Sequence, residues 1–285
     1  MIICADDFGI SQSVSDGILE LLYKKKLTAV SCILNYDGNI INQIDSLLSF
    51  NSICDIGLHL NLTSGKPLSS GIDKSSGLVD GNGNFLNFNK LLKNILLKKV
   101  NIDILSIEIE KQLNYFLLLT KKFPDFVDGH QHIQQLPIIR NLLPEICSRI
   151  FKNQNFYIRV CRFPIKQSII HKLKPEMILG SCLIDMFSTA SIKQLDFFKI
   201  KFNNYLLGYH NYNKEFFFEK VFEYYLKLNT SKNDIFFTHP GYIDQDLIFR
   251  DTLIEGRKTN LEFLLSNKFE DLLGKNETKI NKFNY

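Results

Sequence analysis

A chain of 285 residues with 45% hydrophobic residues can bury a sizeable core in one large or two ordinary domains. Its formal net charge is only +4, and its lysines are scattered rather than massed on one segment, which argues against the clustered basic patch of a nucleic-acid-binding protein. No apolar run approaches the ~20 residues that a membrane-spanning helix needs, so we expect no membrane span and no nucleic-acid partner.

Apolar runs and helical periodicity alternate along the chain, beginning with a strand at 2–5 and a helix at 11–27. Further strands are predicted at 29–34, 53–58, 125–128, 155–160, 205–209 and 234–237, and further helices at 40–50, 90–100, 104–121, 137–150, 216–228 and after 246. Residues 178–186 fit either a strand or a buried helix. The polar segment 63–88 is long for a plain connection, which is typical of functional or mobile loops.

The steady alternation of strand and helix predicts a parallel sheet with helices outside it. About seven such units in a chain of this length favour a distorted TIM-like (β/α) barrel, closed or nearly closed, over an open sheet. We predict a single catalytic barrel domain over residues 1–285, with a polar tail that frays after about residue 274.

Four short apolar runs each end in Asp or His. They lead into Asp6-Asp7, His59, Asp128-Gly129-His130-Gln131-His132 and His239-Pro240-Gly241. In barrels of this kind the chemistry lies in the loops at the carboxyl ends of the strands. The sequence therefore predicts one shared site built from several strands, with Arg159 at the end of a fifth.

The residue types indicate a metal site. One carboxylate and two imidazoles form a three-ligand site with open positions, which is the arrangement used when a metal activates water. Neighbouring residues on a strand face opposite ways, so one of Asp6 and Asp7 can bind the metal while the other acts as a general base. The geometry does not say which one binds. The alternative for this pair is a helix N-cap with a solvated neighbour.

The six cysteines point to a reducing compartment. They stand at positions 4, 32, 54, 147, 161 and 182. No pair has the Cys-x-x-Cys spacing of a thiolate zinc site, and most lie within apolar runs. The N-terminus begins with strand-like residues where a signal peptide would carry a basic and then an apolar region. We therefore expect a soluble, cytoplasmic protein with reduced cysteines.

Taken together, the four motifs and the run Gly57–Thr63 with Gly65-Lys66-Pro67 resemble the YdjC family of carbohydrate deacetylases, from residue 2 to about residue 265. That family includes chitooligosaccharide deacetylases and hopanoid-associated members. The resemblance implies a distorted barrel related to polysaccharide deacetylases, a possible homodimer, and metal-dependent hydrolysis of N-acetyl groups on an acetylated sugar or glycolipid.

The resemblance also implies roles for individual residues. Asp7, His59 and His130 correspond to the metal ligands. Asp6 corresponds to the catalytic base, and His239 to an acid or transition-state stabiliser. One divalent ion, Zn²⁺ or Mg²⁺, is expected, and two imidazoles suit zinc or another transition metal better than magnesium.

Several other positions carry weaker hypotheses. Asp128, His132, Arg159 and Tyr242 are candidate substrate contacts, although Arg159 alternates with apolar residues and fits a salt bridge inside the barrel equally well. Gln131 departs from the family, whose members often have His there, and it is not expected to affect the metal. His171 and His210 match no motif and are expected to be structural or exposed, and the aromatic run 216–218 is expected in the core.

Two other functions remain open at this stage. The first is a sugar-binding barrel without catalysis, and the second is a metal-dependent hydrolase of another bond. The presence of both Asp6 and His239 favours the deacetylase, because a binding protein needs neither a base nor an acid beside its metal.

Overall fold

The protein is described by a computed structural model that covers residues 1–36, 40–170, 174–210, 218–228 and 231–285. Seven strands form one parallel sheet with the order β5-β4-β3-β2-β1-β7-β6. They are β1 (Ile2–Phe8), β2 (Ala29–Cys32), β3 (Asp55–Leu60), β4 (Phe126–Gly129), β5 (Tyr157–Ile158), β6 (Leu206–Leu207) and β7 (Ile235–Thr238). The prediction of a distorted α/β barrel with about seven parallel strands is confirmed, and the sheet is a curled half-barrel.

The connections between the strands are mostly helical. The helices are α1 (Gln12–Tyr23), α2 (Ile44–Leu48), α3 (Phe88–Leu96), α4 (Ile102–Thr120), α5 (Ile139–Ile150), α6 (Ile165–Ile170), α7 (Pro175–Asp185), α8 (Ser188–Phe197), α9 (Phe218–Leu226), α10 (Gln245–Arg250), α11 (Glu255–Leu265) and α12 (Asn267–Lys275). Residues 178–186, which fitted either a strand or a helix, lie mainly in α7. Within the described ranges, none of these helices is both long and apolar enough to cross a bilayer.

The two faces of the sheet bury separate cores because side chains alternate along each strand. On β1, Ile3 and Ala5 face the helices, whereas Ile2 and Cys4 face the inside of the barrel. Asp6 continues the inner face. Asp7 does not follow the alternation of side chains along β1. Its φ is +69°, and the pairing of β1 with β2 is irregular between Ala5 and Phe8. Both carboxylates can therefore lie at the same end of the barrel.

The edge strands β5 and β6 are shorter than predicted because a side chain takes over part of the pairing. Ile158 N donates to Lys201 O at 3.0 Å. The buried amide of Asn203 then accepts from Val160 N at 2.7 Å and donates to Val160 O at 2.9 Å. Asn203 thus acts as a peptide group would in a strand ladder, and it joins the two edges of the half-barrel.

The tail after residue 274, for which fraying is predicted, packs against the barrel. The tail folds across the end of the barrel opposite the strand carboxyl ends, where Phe283 is buried and stacks on Tyr157 at 4.1 Å between ring centroids. Phe283 N donates to Asp55 Oδ2 at 2.8 Å, and Asn281 N donates to Met1 O at 3.0 Å. The polar composition of the tail predicts disorder, but Phe283 and Tyr285 anchor it against the barrel. The single domain over residues 1–285 remains a prediction.

Candidate metal centre

A cavity of about 630 Å³ opens at the carboxyl ends of the strands. Of the predicted site residues, it is lined by Asp6, Asp7, His59, His130, His132 and His239. Asp128, Arg159 and Tyr242 do not line it. The structure therefore brings together the residues of all four motifs, as expected from their position at strand ends.

Three side chains converge in a way that suits a metal ion. Asp7 Oδ1 lies 3.1 Å from His130 Nδ1 and 3.3 Å from His59 Nε2. One ligand atom from each of the three residues lies within 4.8 Å of the others. Asp7 reaches this place through its left-handed backbone at the end of β1, while His59 projects from β3 and His130 follows β4. A carboxylate with two imidazoles is a donor set that binds zinc and similar ions.

His59 is held in the orientation that a metal ligand needs. Its Nδ1 donates to Asp128 Oδ1 at 2.7 Å, which leaves Nε2 directed at Asp7. Burial would lower the pKa of His59, but Asp128 and Asp7 outweigh burial and raise this pKa to about 10. The surroundings of Nε2 therefore favour positive charge, which a divalent ion would supply in place of a proton. The donor set and its carboxylate–histidine support thus fit a metal.

Asp128 is not placed to contact a substrate. It is fully buried, and besides His59 it accepts a hydrogen bond from Ser31. The carboxylate lies behind His59 rather than on the cavity wall, so this geometry does not support the predicted substrate contact. Its hydrogen bond fixes the orientation of His59, and its charge raises the pKa of that imidazole. His59 in β3 pairs with Asp128 in β4. An Asp and a His at matching positions of two neighbouring predicted strands would have been the sequence signal.

Arg159 closes a salt bridge inside the barrel, which is the second of its two alternatives. Its Nη1 and Nη2 donate to the two oxygens of Asp6 at 2.7 and 2.8 Å, and Nη1 lies 2.9 Å from Asp128 Oδ2. Arg159 is 1% exposed, so it cannot hold a sugar. Burial would raise the pKa of Asp6, but the guanidinium outweighs burial and holds that pKa well below its usual range. Asp6 is therefore a fixed, ionised carboxylate beside the candidate metal ligands.

Arg257 belongs to the site and was missed by the sequence reasoning, which counted it only as part of the closing helix. It is fully buried in α11, and its Nη2 donates to Asp7 Oδ2 at 2.7 Å. Burial would raise the pKa of Asp7, yet Arg257 and His130 outweigh burial and keep this pKa well below its usual range. The missed signal was an arginine at helical spacing from Leu261 and Leu264, on the face that packs inward.

His239 lies beside Asp7 on the side away from the two other imidazoles. Its Nε2 is 4.0 Å from Asp7 Oδ2. The loop after β7 is held by Asn260, whose Oδ1 accepts from His239 N at 3.0 Å and from Thr238 Oγ1 at 2.6 Å. Burial lowers the pKa of His239 to about 4 although Asp7 and Asp6 oppose that change. The ring is therefore a neutral hydrogen-bonding group near pH 7.

His132 reaches the cavity through a turn of the backbone just after His130. Gln131 and His132 have left-handed backbones, with φ of 55° and 60°, so the chain turns at these two residues. Gly129 is extended, and its lack of a side chain instead makes room for Ile133 and Gln134. The His132 ring packs edge-on against Phe237 at 5.3 Å between centroids. Burial lowers its pKa to about 3, so His132 is neutral.

The remaining sequence predictions have different outcomes. Tyr242 is 44% exposed, donates its hydroxyl to Glu20 and does not line the cavity, so its contact with a substrate remains a prediction without support from this geometry. His210 is buried and bonds through Nδ1 with Gly208 O at 2.8 Å, but it also lines the cavity, which the sequence reasoning did not expect. Its position just after β6 was the available signal. Phe218 lies in the core as predicted, whereas His171 and residues 216–217 lie outside the described residues.

The fold and the site together place this protein in a class of α/β half-barrels that carry a carboxylate and two imidazoles, a candidate metal centre, at the carboxyl ends of their strands. The chain matches the family described as YdjC-like protein over residues 1–275 and belongs to that family, which confirms the resemblance of its motifs. The chain is also similar, with 18% identity and a TM-score of 0.73 over 99% of this chain and 96% of the other, to an Enterococcus faecalis structure named for a proposed cellobiose-phosphate cleavage activity. At that identity the likeness shows the fold alone.

Curated relatives carry more specific names. A carbohydrate deacetylase of Clostridium beijerinckii is 29% identical over 56% of this chain and 59% of its own. Carbohydrate deacetylase 1 of Listeria innocua is 26% identical over 98% of this chain and 96% of its own. A chitooligosaccharide deacetylase of Yersinia enterocolitica is 28% identical over 50% of this chain and 53% of its own. The chain spans about half of the length of several curated relatives that it matches.

Proposed function

We propose that this protein is a metal-dependent hydrolase that removes an N-acetyl group from an acetylated sugar, either an oligosaccharide or a glycolipid. The observation that carries the proposal is the convergence of Asp7, His59 and His130 in one cavity, with Asp6 and His239 beside them. The names of the relatives support the same activity. A cavity of about 630 Å³ is of the size that holds a small ligand such as a sugar.

The proposed chemistry assigns a distinct task to each group. Asp7 Oδ1, His59 Nε2 and His130 Nδ1 would hold one divalent ion. Asp6 is held ionised by Arg159, and it is therefore a weak base that can take a proton only from an acidified water. When bound, the ion would supply that acidity and polarise the acetyl carbonyl. Asp6 takes the proton of the attacking water and returns it to the leaving nitrogen as the C–N bond breaks, so the products are acetate and a free amino sugar.

His239 completes the site as a stabiliser of the transition state. Because its ring is neutral, we favour hydrogen-bond donation to the developing oxyanion over the role of a charged acid. His132 is proposed as a neutral hydrogen-bonding contact to the sugar, supported by its place on the cavity wall beside Phe237. Two imidazoles with one carboxylate support Zn²⁺ or a similar ion over Mg²⁺.

The cellular setting is proposed with the function. Five of the six cysteines are buried and all six are free thiols, which supports a cytoplasmic location. The homodimer also remains a proposal, and it can be checked by light scattering of the purified protein.

The function is tested by acetate release. Chelator-treated protein is incubated with N-acetylglucosamine, chitooligosaccharides and an N-acetylated glycolipid, with Zn²⁺, Mn²⁺ or Mg²⁺ restored separately. We expect acetate from at least one substrate only when a metal is restored. The same amount of acetate without metal would overturn the metal dependence. No acetate from any combination of substrate and metal would overturn the proposed activity.

The ligand assignment predicts how metal retention depends on two histidines. His59→Ala and His130→Ala should each lose most of the metal that the unmodified protein retains after dialysis, as measured by elemental analysis, because three protein ligands are reduced to two. Gln131→Ala is the matched control: its side chain adjoins His130 and lines the cavity but offers no imidazole, so its metal content should be unchanged. Full occupancy in the His130 variant would remove the proposed centre.

A further inference from the structure

The two oxygens of Asp7 have different surroundings. Oδ1 faces the two imidazoles, at 3.1 Å from His130 Nδ1 and 3.3 Å from His59 Nε2. Oδ2 accepts a hydrogen bond from Arg257 Nη2 at 2.7 Å. Asp7 is 1% exposed and Arg257 is fully buried, so water does not compete for the bond between them. The carboxylate is therefore held in one rotational position by a cation on one side only.

Arg257 is itself held from two directions. Its Nε donates to Asp251 Oδ2 at 3.1 Å, and its Nη2 also bonds with Asp251. Its backbone carbonyl accepts from Gly241 N at 3.3 Å, in the loop that carries His239. A guanidinium that bonds through Nε and Nη2 with two carboxylates has a fixed orientation, unlike a lysine ammonium on a flexible stem. Rotation of Asp7 would break a charge-assisted hydrogen bond in a buried place, which is costly.

We propose that Arg257 is a positioning residue of the metal centre, which keeps Asp7 Oδ2 away from the ion so that Asp7 binds through Oδ1 alone. The inference rests on the proposed metal site and adds a property of that site. A carboxylate that binds through one oxygen leaves more open positions and suits ions of low coordination number such as Zn²⁺. A carboxylate free to bind through both oxygens suits ions that take six to eight ligands, such as Ca²⁺. Arg257 would thus set which ion the centre prefers.

A purely structural role makes a different prediction. Arg257 also neutralises a buried carboxylate, and its loss could destabilise the fold without any change at the metal. The structural role and the positioning role can be distinguished by a variant that keeps the positive charge but removes the planar guanidinium. Arg257→Lys does this, because an ammonium can still neutralise Asp7 but cannot bind Asp7 and Asp251 with fixed geometry. Arg257→Gln removes the charge as well.

The test measures metal binding without substrate. Zn²⁺ and Ca²⁺ affinities of the unmodified protein, Arg257→Lys and Arg257→Gln are obtained by competition with a chromophoric chelator. Co²⁺ is bound as a spectroscopic probe, since its visible absorption weakens as its coordination number rises. Arg250→Lys is the matched control, because Arg250 pairs with Asp246 at 3.1 Å outside the centre. Thermal unfolding of each metal-free protein reports the structural contribution.

We expect both Arg257 variants to bind Zn²⁺ about 10- to 100-fold more weakly, the usual effect of losing a group that supports a metal ligand. Their preference for Zn²⁺ over Ca²⁺ should fall and their Co²⁺ absorption should weaken, while Arg250→Lys matches the unmodified protein. Unchanged affinities and spectra in Arg257→Lys, with lower thermal stability alone, would overturn the inference. Failure of the unmodified protein to bind Co²⁺ would overturn the metal centre itself, whereas Co²⁺ binding without acetate release would overturn only the proposed activity.

Discussion

An Asp6→Asn variant is expected to keep its fold and its metal while kcat falls by about 10²–10⁴-fold, the usual contribution of a general base. Asp6 is held by Arg159 beside the candidate ligands and is not one of the three converging donors. Asn can still accept one hydrogen bond from Arg159 but cannot take a proton from water. Steady-state acetate release, with metal content measured on the same samples, checks this result.

Asp7→Asn is the partner variant, and it should fail in a different way. Its carboxylate supplies one of the three ligand atoms, and a neutral amide is a poorer ligand for a divalent ion, so this variant should lose metal. Recovery of activity in Asp6→Asn at higher pH would fit a weakened base. Equal metal loss in the two variants would show that the base and the ligand have been assigned to the wrong residues.

Arg159→Leu is expected to lower the free energy of unfolding by about 3–5 kcal/mol, because it leaves buried charge without its partner. The guanidinium contacts both Asp6 and Asp128, and all three side chains are buried. Urea unfolding of the metal-free protein measures the loss. Arg149→Ala is the control, since Arg149 pairs with Glu110 on the surface with its side chain 56% exposed, and such pairs contribute about 0–1 kcal/mol.

The pH dependence of that difference identifies its cause. The folded-state pKa of Asp6 is depressed by Arg159, so the stability from this pair is present above the unfolded-state pKa of about 3.9 and is lost as pH falls toward the folded-state value. The difference in the free energy of unfolding between the unmodified protein and Arg159→Leu should therefore be largest near pH 7 and should decrease below about pH 4. A gap that does not change with pH would indicate lost packing rather than lost charge pairing.

The sequence predicted those parts of the site that depend on strand periodicity. Apolar runs that end in Asp or His located Asp7, His59 and His130 at strand ends, and a parallel barrel brings such ends together. The same alternation predicted about seven parallel strands, whereas their order in the sheet is known only from the structure. The choice of Asp7 over Asp6 as ligand came only from the family resemblance, and it remains a prediction. A backbone with φ of +69° at Asp7 decides which way the two carboxylates face, and no residue type in that run signals it.

The remaining parts depend on contacts between distant segments. Asp128 and Arg159 were considered as substrate contacts because they lie near strand ends, but strand position does not say whether a polar group faces the cavity or another charge. Arg257 lies 250 residues from Asp7 along the chain, and helical periodicity treated it as one more inward position. Tyr242 follows the His239 motif closely, yet its side chain lies on the outer surface beside α1.

The amide of Asn203 forms part of the seam between the two edges of the half-barrel. Elsewhere the strands are joined by backbone ladders, but between β5 and the chain before β6 part of the joint is one side chain bonded to Val160. Residue 160 is the neighbour of Arg159, so any opening of this seam admits water beside the guanidinium. Water beside Arg159 would weaken both the attraction that lowers the pKa of Asp6 and the burial that raises it. Opening of the sheet edge at Asn203, which does not line the cavity, would therefore change the basicity of the proposed catalytic group.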